Sequence, residues 1–466
     1  MSDFAQFQYS PLDLKERCIR LVEIVAITHE DGEDVIECKT HKYKVPMFID
    51  RPRSLDFDAL SYQWGDEKAV KQILLDGDWF TVRENLWHAL KALKEVQTSG
   101  TQEACTVAVR LPTSVPSRLY TNIISLQWKQ VRDDRSKFKR LIWIDAICID
   151  QENVAERNHQ VGLMNEIFSR CSTVIVWLGP STSNSIVAVN HIWGLGAGGF
   201  EHQNDHDALL DLLNRPYWKR MWIIQEIFLA PDIIVLSGQD IFLWEELRET
   251  LRRHRLAKTS QDHCGCLERQ WHEHLRQSPG CRIVDAREHY TENMRVRSRT
   301  PLFAGDQLVS LLMDWADQEC SDKLDKVYAL LGLIPQLSSS PRPCLRADYK
   351  KKKEDLFREL MVLLLDFGAT PNERRAFCAR LLKSLEICPF HPTVREALAW
   401  LAPLFAGAAP FPSRDDVAVE HARKCFECRD QMRLMERNGQ QHRAAITARP
   451  ARRPVMMYRL TAGGAG

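Results

Sequence analysis

The stretch from Leu141 to Ile149 is apolar apart from Asp145, the pattern of a parallel strand covered on both faces. After it, Val161, Met164, Phe168 and Cys171 recur at helical spacing and form one apolar stripe, with Asp150 or Asn153 placed to cap the helix. Ser172 to Leu178 returns as a second β-rich run ending at Gly179-Pro180. Strand, helix and strand make a βαβ unit, and ligands of such sheets bind beyond the carboxyl ends of the strands. That rim carries Asp150, Gln151, Glu152 and Asn153.

Elsewhere the pattern predicts strands over Ile19–Ile27 and Asp34–Val45 within a polar arm (1–50). A short strand, Phe57–Tyr62, breaks at Trp64-Gly65-Asp66, and a hairpin turns at Asp76-Gly77. Asn85–Val96 reads as a helix. Residues 98–132 have no period and hold Pro112 and Pro116, which predicts an insertion such as a retained intron. Ala208–Ala230 is helical with a break near Pro216, Ile233–Leu236 is a strand, and Trp244–Leu256 is an amphipathic helix. Lys258–Arg299 is polar and irregular, and helices follow over Leu308–Ala316, Lys323–Leu333 and Asp355–Phe367. The chain thus divides into an arm (1–50), an α/β domain (51–240), a helical region (241–369) and a poorly ordered tail (370–466).

Composition narrows the function classes. With 63 basic and 62 acidic residues the chain has no charge bias toward nucleic acid. The first residues lack the apolar core of a signal peptide, and no apolar run is long enough for a membrane span. Fourteen cysteines without paired spacing predict reduced thiols and a cytoplasmic protein. Cys425 and Cys428 with His421, and the group His263, Cys264, Cys266, His272 and His274, both fall short of a closed zinc set, so no metal is expected. Gly194 to Gly199 lacks the spacing of a phosphate-cradling loop, and no Gly-x-Ser-x-Gly elbow exists.

Three ordered motifs stand out. They are Ala59-Leu60-Ser61-Tyr62-Gln63-Trp64-Gly65-Asp66; Trp143 to Gln151, continuing through Glu156, Arg157, Gln160 and on to Trp177-Leu178-Gly179; and Arg215-Pro216-Tyr217-Trp218-Lys219-Arg220-Met221-Trp222 with Gln225-Glu226. Together with Ile19-Arg20-Leu21 before them and Asp325 to Leu333 after them, they resemble the fungal heterokaryon incompatibility (HET) domain over roughly residues 7–366. The chain departs from the family at Asp150, where Asn is usual, and in the length of 98–132. The resemblance implies a flavodoxin-like or TIR-like fold, a mainly parallel sheet flanked by helices. It also implies a role in allorecognition and programmed cell death through self-association, with another incompatibility or immune-receptor-like protein as partner. An enzymatic alternative is a TIR-like NAD+ glycohydrolase using Glu226, with NAD+ as substrate and no further cofactor. An inactive family member is a third reading.

Each polar candidate has a structural alternative. Glu226 has apolar helix neighbours, Trp222 and Leu229, so it is either an acid with a raised pKa or half of an ion pair with Arg220 or Arg157. Asp145 is a lone charge in a buried strand and needs a partner. Glu156 either serves the site or favours its helix dipole, and Asp66 serves a ligand or a turn. Arg157 and Arg220 suit a phosphate or the motif carboxylates. Tyr62, Trp64, Gly65, Asp150, Gln151, Gln160, Trp222 and Gln225 complete the set as ligand contacts or motif support.

Overall fold

The computed structural model describes residues 5–30, 32–46, 55–98, 141–194, 203–257, 266–297, 304–334, 345–363, 370–389 and 391–400. Nine strands form one sheet: β1 (Cys18–Glu30), β2 (Glu33–Lys44), β3 (Asp58–Tyr62), β4 (Val70–Leu75), β5 (Asp78–Arg83), β6 (Leu141–Trp143), β7 (Val174–Trp177), β8 (Ile233–Ser237) and β9 (Asp240–Leu243). Their order is β5-β4-β2-β1-β6-β3-β7-β8-β9.

The α/β class is as expected, but the sheet is mixed rather than mainly parallel. Parallel pairing joins β6, β3, β7 and β8 at the centre and β2 with β4. The β1–β2, β1–β6, β4–β5 and β8–β9 pairs are antiparallel. The difference originates in residues 1–50. Instead of an arm, β1 and β2 form a long hairpin, and β1 lies inside the sheet between β2 and β6. Ile19, Leu21, Val22 and Ile24 are buried along β1, together with Arg20 and Glu23, whose charges break the apolar pattern in sequence. The Asp76-Gly77 hairpin forms as predicted, and both residues have positive φ, as a tight two-residue turn between twisted strands requires.

Helix α1 (Glu84–Thr98) follows β5. The run expected as one strand over Leu141–Ile149 is split into β6 and the single-turn α2 (Asp145–Cys148). The Asp145 carboxylate accepts the Ala146 N–H at 2.7 Å, which starts that turn and ends the strand. Helix α3 (Val154–Arg170) is capped by Asn153, whose side chain accepts the Glu156 N–H. Next come α4 (Ser183–Ile192), α5 (Gln203–Leu213), a 3₁₀ turn (Pro216–Lys219) and α6 (Ile223–Leu229), so the helical run does break at Pro216. Beyond the sheet stand α7 (Trp244–Ala257), α8 (Cys266–Gln277), α9 (Pro279–Arg297), α10 (Ala304–Trp315), α11 (Asp325–Leu331) and α12 (Lys353–Leu363). Helices α8 and α9 replace the irregular segment read over 258–299. Buried Trp271, Leu275, Cys281, Ile283 and Val284 hold them despite many charges.

Contacts divide the chain into two units, Met1–Ala369 and Thr370–Gly466. At the start of the second, where a poorly ordered tail is read from sequence, helices span Pro371–Ser384 and Pro392–Trp400, the first opened by a Thr370–Glu373 capping box. Residues 401–466 and all of the expected insertion beyond Thr98 lie outside the described residues.

One ion pair stitches the N-terminal segment to the sheet. Arg20 on β1 pairs with Glu156 on α3, and each is 2% exposed. Arg20 also donates to the Cys148 carbonyl at 3.0 Å and to the Ser10 carbonyl at 2.7 Å, while Glu156 accepts the Asp150 N–H at 2.8 Å. Glu156, a site candidate from sequence, is therefore a structural partner. Replacing it by Ala strands a buried guanidinium, so urea unfolding is expected to show a loss of about 3–5 kcal/mol. Joint replacement of Arg20 and Glu156 by Met should cost much less; equal losses in the single and double variants would contradict the pairing.

Candidate functional site

The parallel strands β3 and β6 run to the same side of the sheet, β6 ending at Trp143 beside Ala59 and β3 continuing to Tyr62, and the chain turns away from them at Gln63-Trp64-Gly65 and at Ile144-Asp145. A cavity of about 480 Å³ opens there, within the usual range of small-molecule pockets. It is lined by Trp64, Gly65, Asp145 and Gln151 from the rim, by Arg157, Val161 and Met164 from α3, and by Arg220 and Trp222 ahead of α6. The far wall comes from Glu319 to Asp322, Asp325 and Tyr349.

Several sequence candidates meet here. The Trp64 indole N–H donates to Asp145 at 2.8 Å, joining the first motif to the second. Asp145 also engages the buried Tyr62 hydroxyl, and the Gln151 amide donates to the Asp145 carbonyl at 3.0 Å. Burial raises the Asp145 pKa, while Arg220 and the Trp64 hydrogen bond pull it down. Gly65 has positive φ and turns the chain out of the strand; Arg83 donates to its carbonyl at 2.9 Å and lies over the Trp64 ring.

Glu226 does not line the cavity. It sits behind the wall, 3% exposed on α6. Ser61 of β3 donates to its Oε2, and the Tyr217 hydroxyl lies 2.7 Å from Ser61 Oγ. Arg220 Nη1 is 3.7 Å from Glu226 Oε2 and donates to the Tyr62 carbonyl at the end of β3. Burial pushes the Glu226 carboxyl up to about 7, opposed by Arg220 and Ser61 and reinforced by Asp145. The partner that the sequence left open between Arg220 and Arg157 is Arg220.

Arg157 instead stacks on Tyr349, 4.0 Å from the ring centroid, and its Nε has no hydrogen-bond partner among the described residues. The Tyr349 hydroxyl donates to Asp325 at 2.7 Å, and its backbone N–H donates to Asn158 on α3 at 3.1 Å. Burial raises Asp325 to about 6, against hydrogen bonds from Tyr349 and Trp222. The far wall is tied to the third motif: Met221 N–H donates to the Glu319 carbonyl at 2.8 Å, and the Gln318 amide reaches the Trp218 and Arg220 carbonyls.

The remaining candidates lie elsewhere. Asp66 is exposed and accepts the Lys68 N–H at 3.0 Å, which is turn chemistry. Asp150 accepts the Glu152 N–H, and Gln160 is buried with its amide donating to the Cys18 carbonyl at 2.8 Å. Gln225 is buried against Gly332, where a Cβ would collide with its amide. Sequence reasoning missed Arg20, Ser61, Tyr217, Asp325 and Tyr349 as contributors. Ser61 and Tyr217 sit inside the motifs, whereas Tyr349 has no local signal at all. No group of three or more His, Cys, Asp or Glu among the described residues is arranged to hold a metal ion.

Residues 57–226 match the family model described as Heterokaryon incompatibility protein (HET). A curated relative, Heterokaryon incompatibility protein 6, OR allele, of Neurospora crassa, is 27% identical over 139 residues. That alignment covers 22% of this chain and 20% of the relative, so the chain spans about a fifth of that protein's length. No solved structure matches. The match begins just before β3 and ends on the very carboxylate that Ser61 and Arg220 hold, so the part of this chain similar to the HET family runs from the centre of the sheet to Glu226.

Proposed function

We propose that this chain acts in heterokaryon incompatibility, where its HET domain provokes the death of fused, incompatible cells through self-association in the cytoplasm, alone or with another incompatibility or immune-receptor-like protein. The family match and the Neurospora relative support the incompatibility role. The observation that favours a scaffold is the position of Glu226, turned inward to Ser61 and Arg220 rather than into the cavity. A group that acts as general acid must reach the atom it protonates. Glu226 is one residue layer short of that.

The cavity supports a second reading, in which the domain is a TIR-like NAD+ glycohydrolase. Trp64 and Trp222 offer ring faces, Arg157 and Arg220 offer cations for a pyrophosphate, and Asp145 is the carboxylate at the rim. In this reading Arg220 swings toward the ligand and uncovers Glu226, whose raised pKa suits proton transfer near neutrality.

The two readings separate in one pair of measurements. Under the scaffold reading the purified full chain leaves NAD+ intact, its expression kills fungal cells, and Glu226→Gln, which still accepts from Ser61, kills as well. NAD+ consumption that Glu226→Gln abolishes in folded protein would overturn it. A stability measurement bears on the same residue. A carboxyl with a folded-state pKa near 7 binds more protons than the unfolded chain between about pH 4.5 and 7. Its contribution is full below that window and is lost as pH rises through it. Relative to Glu226→Gln, the wild type should lose roughly 1 kcal/mol per pH unit across the window in urea titrations; parallel curves would contradict the buried carboxyl.

A further inference from the structure

Away from the rim, four helices bring histidines together in the interior. His191 stands in the last turn of α4, His206 in the first turn of α5, His254 in the last turn of α7, and His272 on α8 beside Trp271. The His191 and His254 Nε2 atoms are 2.8 Å apart, with the rings stacked at 5.1 Å between centroids. His206 stacks on Trp271 at 4.0 Å and lies 5.6 Å from the His254 ring. Both members of the close pair are buried, His254 to 2% exposure.

Two imidazole nitrogens at this distance share a single proton, so one ring donates and the other accepts. Asp205 Oδ2 lies 3.7 Å from His191 Nδ1 and favours a proton there, which leaves His191 Nε2 to accept from His254 Nε2–H. A second proton on His191 would set two N–H groups against each other; one on His254 would bury a cation. Among the described residues, Asp205, His206, Arg253 and His272 face the pair, and of these Asp205 alone favours added positive charge. Thr250 on α7 donates to the Ile192 carbonyl beside the pair, a neutral tie that persists at any pH.

We propose that the His191–His254 pair is an acid-sensitive latch between α4 and α7, closed near neutral pH and released by protonation. The direction agrees with the electrostatics. Burial lowers both imidazoles, His254 to about 3, with the neighbouring histidines and Arg253 acting the same way and Asp205 opposing on His191. The open form therefore binds more protons than the closed form below the ordinary histidine value of about 6.5, so the latch holds fully above that pH and weakens as pH falls. The release reaches the HET domain through α5. Its first turn carries Asp205 and His206, and at its other end the Leu212 carbonyl accepts the Trp218 indole N–H at 2.9 Å, in the turn that leads to Arg220. This inference does not depend on the proposed function.

Hydrogen exchange on the full chain, in a chelating buffer from about pH 7.5 to about 5 and corrected for intrinsic rates, tests it. The opening constant of α4 and α7 amides should rise about tenfold per pH unit and per histidine below pH 6 or so, while β3 and β7 amides keep theirs. His254→Gln retains a donor without a titrating group, and its opening should be flatter in pH by about one proton. Equal pH slopes in wild type and variant would overturn the latch, as would opening on chelation at neutral pH, which would mark a metal bridge. Should the variant fail to fold, imidazole proton resonances of the wild type decide: neither His191 nor His254 titrates in the closed state near pH 6.5, and a midpoint there for both would overturn the proposal.

Discussion

A carboxylate sealed inside a protein must be paired, hydrogen-bonded or protonated, and Glu226 meets that demand by binding two motifs at once. Ser61 on β3 donates to it, Tyr217 supports Ser61, and Arg220 spans the distance to the end of β3. The demand fixes where α6 sits on the sheet. It also fixes where the loop ahead of α6 places Arg220 and Trp222, and so where the cavity lies. The Trp64–Asp145 hydrogen bond does the same between the first and second motifs. Most polar residues that make the motifs recognisable are thus occupied with one another.

The cavity is larger in sequence than the matched domain. Its far wall is drawn from Glu319 to Asp322, Asp325 and Tyr349, well beyond residue 226, and β6, which leads to Asp145 at the rim, pairs with β1, which precedes residue 57. Arg157 shows the connection directly, since it belongs to the second motif yet rests on Tyr349. A fragment cut to residues 57–226 would lack β1, one of the two strands that pair with β6, and the far wall of the cavity.

Local pattern carried much of the fold. Strand β3, the Asp76-Gly77 hairpin, helix α3 and the break at Pro216 all follow from periodicity and turn chemistry acting over a few residues. What escaped were features set by distant partners. Strand β1 is legible over Ile19–Ile27, but its place inside the sheet is not: Arg20 and Glu23 break its apolar pattern, and Glu156, the buried partner of Arg20, is remote in sequence. Asp145 ends β6 by bonding its own following N–H, which converts an apolar run into strand plus turn. Helices α8 and α9 are rich in charge and are held by a few buried residues that no short window weighs correctly. At the site, residue types pointed to Glu226, but which side of Arg220 it occupies is a tertiary fact.

The most direct test of the account is a double-mutant cycle between Ser61 and Glu226, using Ser61→Ala, Glu226→Met, which removes the acceptor, and the pair, read by urea unfolding near neutral pH. A buried hydrogen bond to this carboxyl predicts a coupling of about 1–3 kcal/mol, with the double variant losing less than the two single losses combined. Losses that add to within about 0.5 kcal/mol would show that the two motifs do not hold each other, and the placement of α6 and the rim would then need another cause.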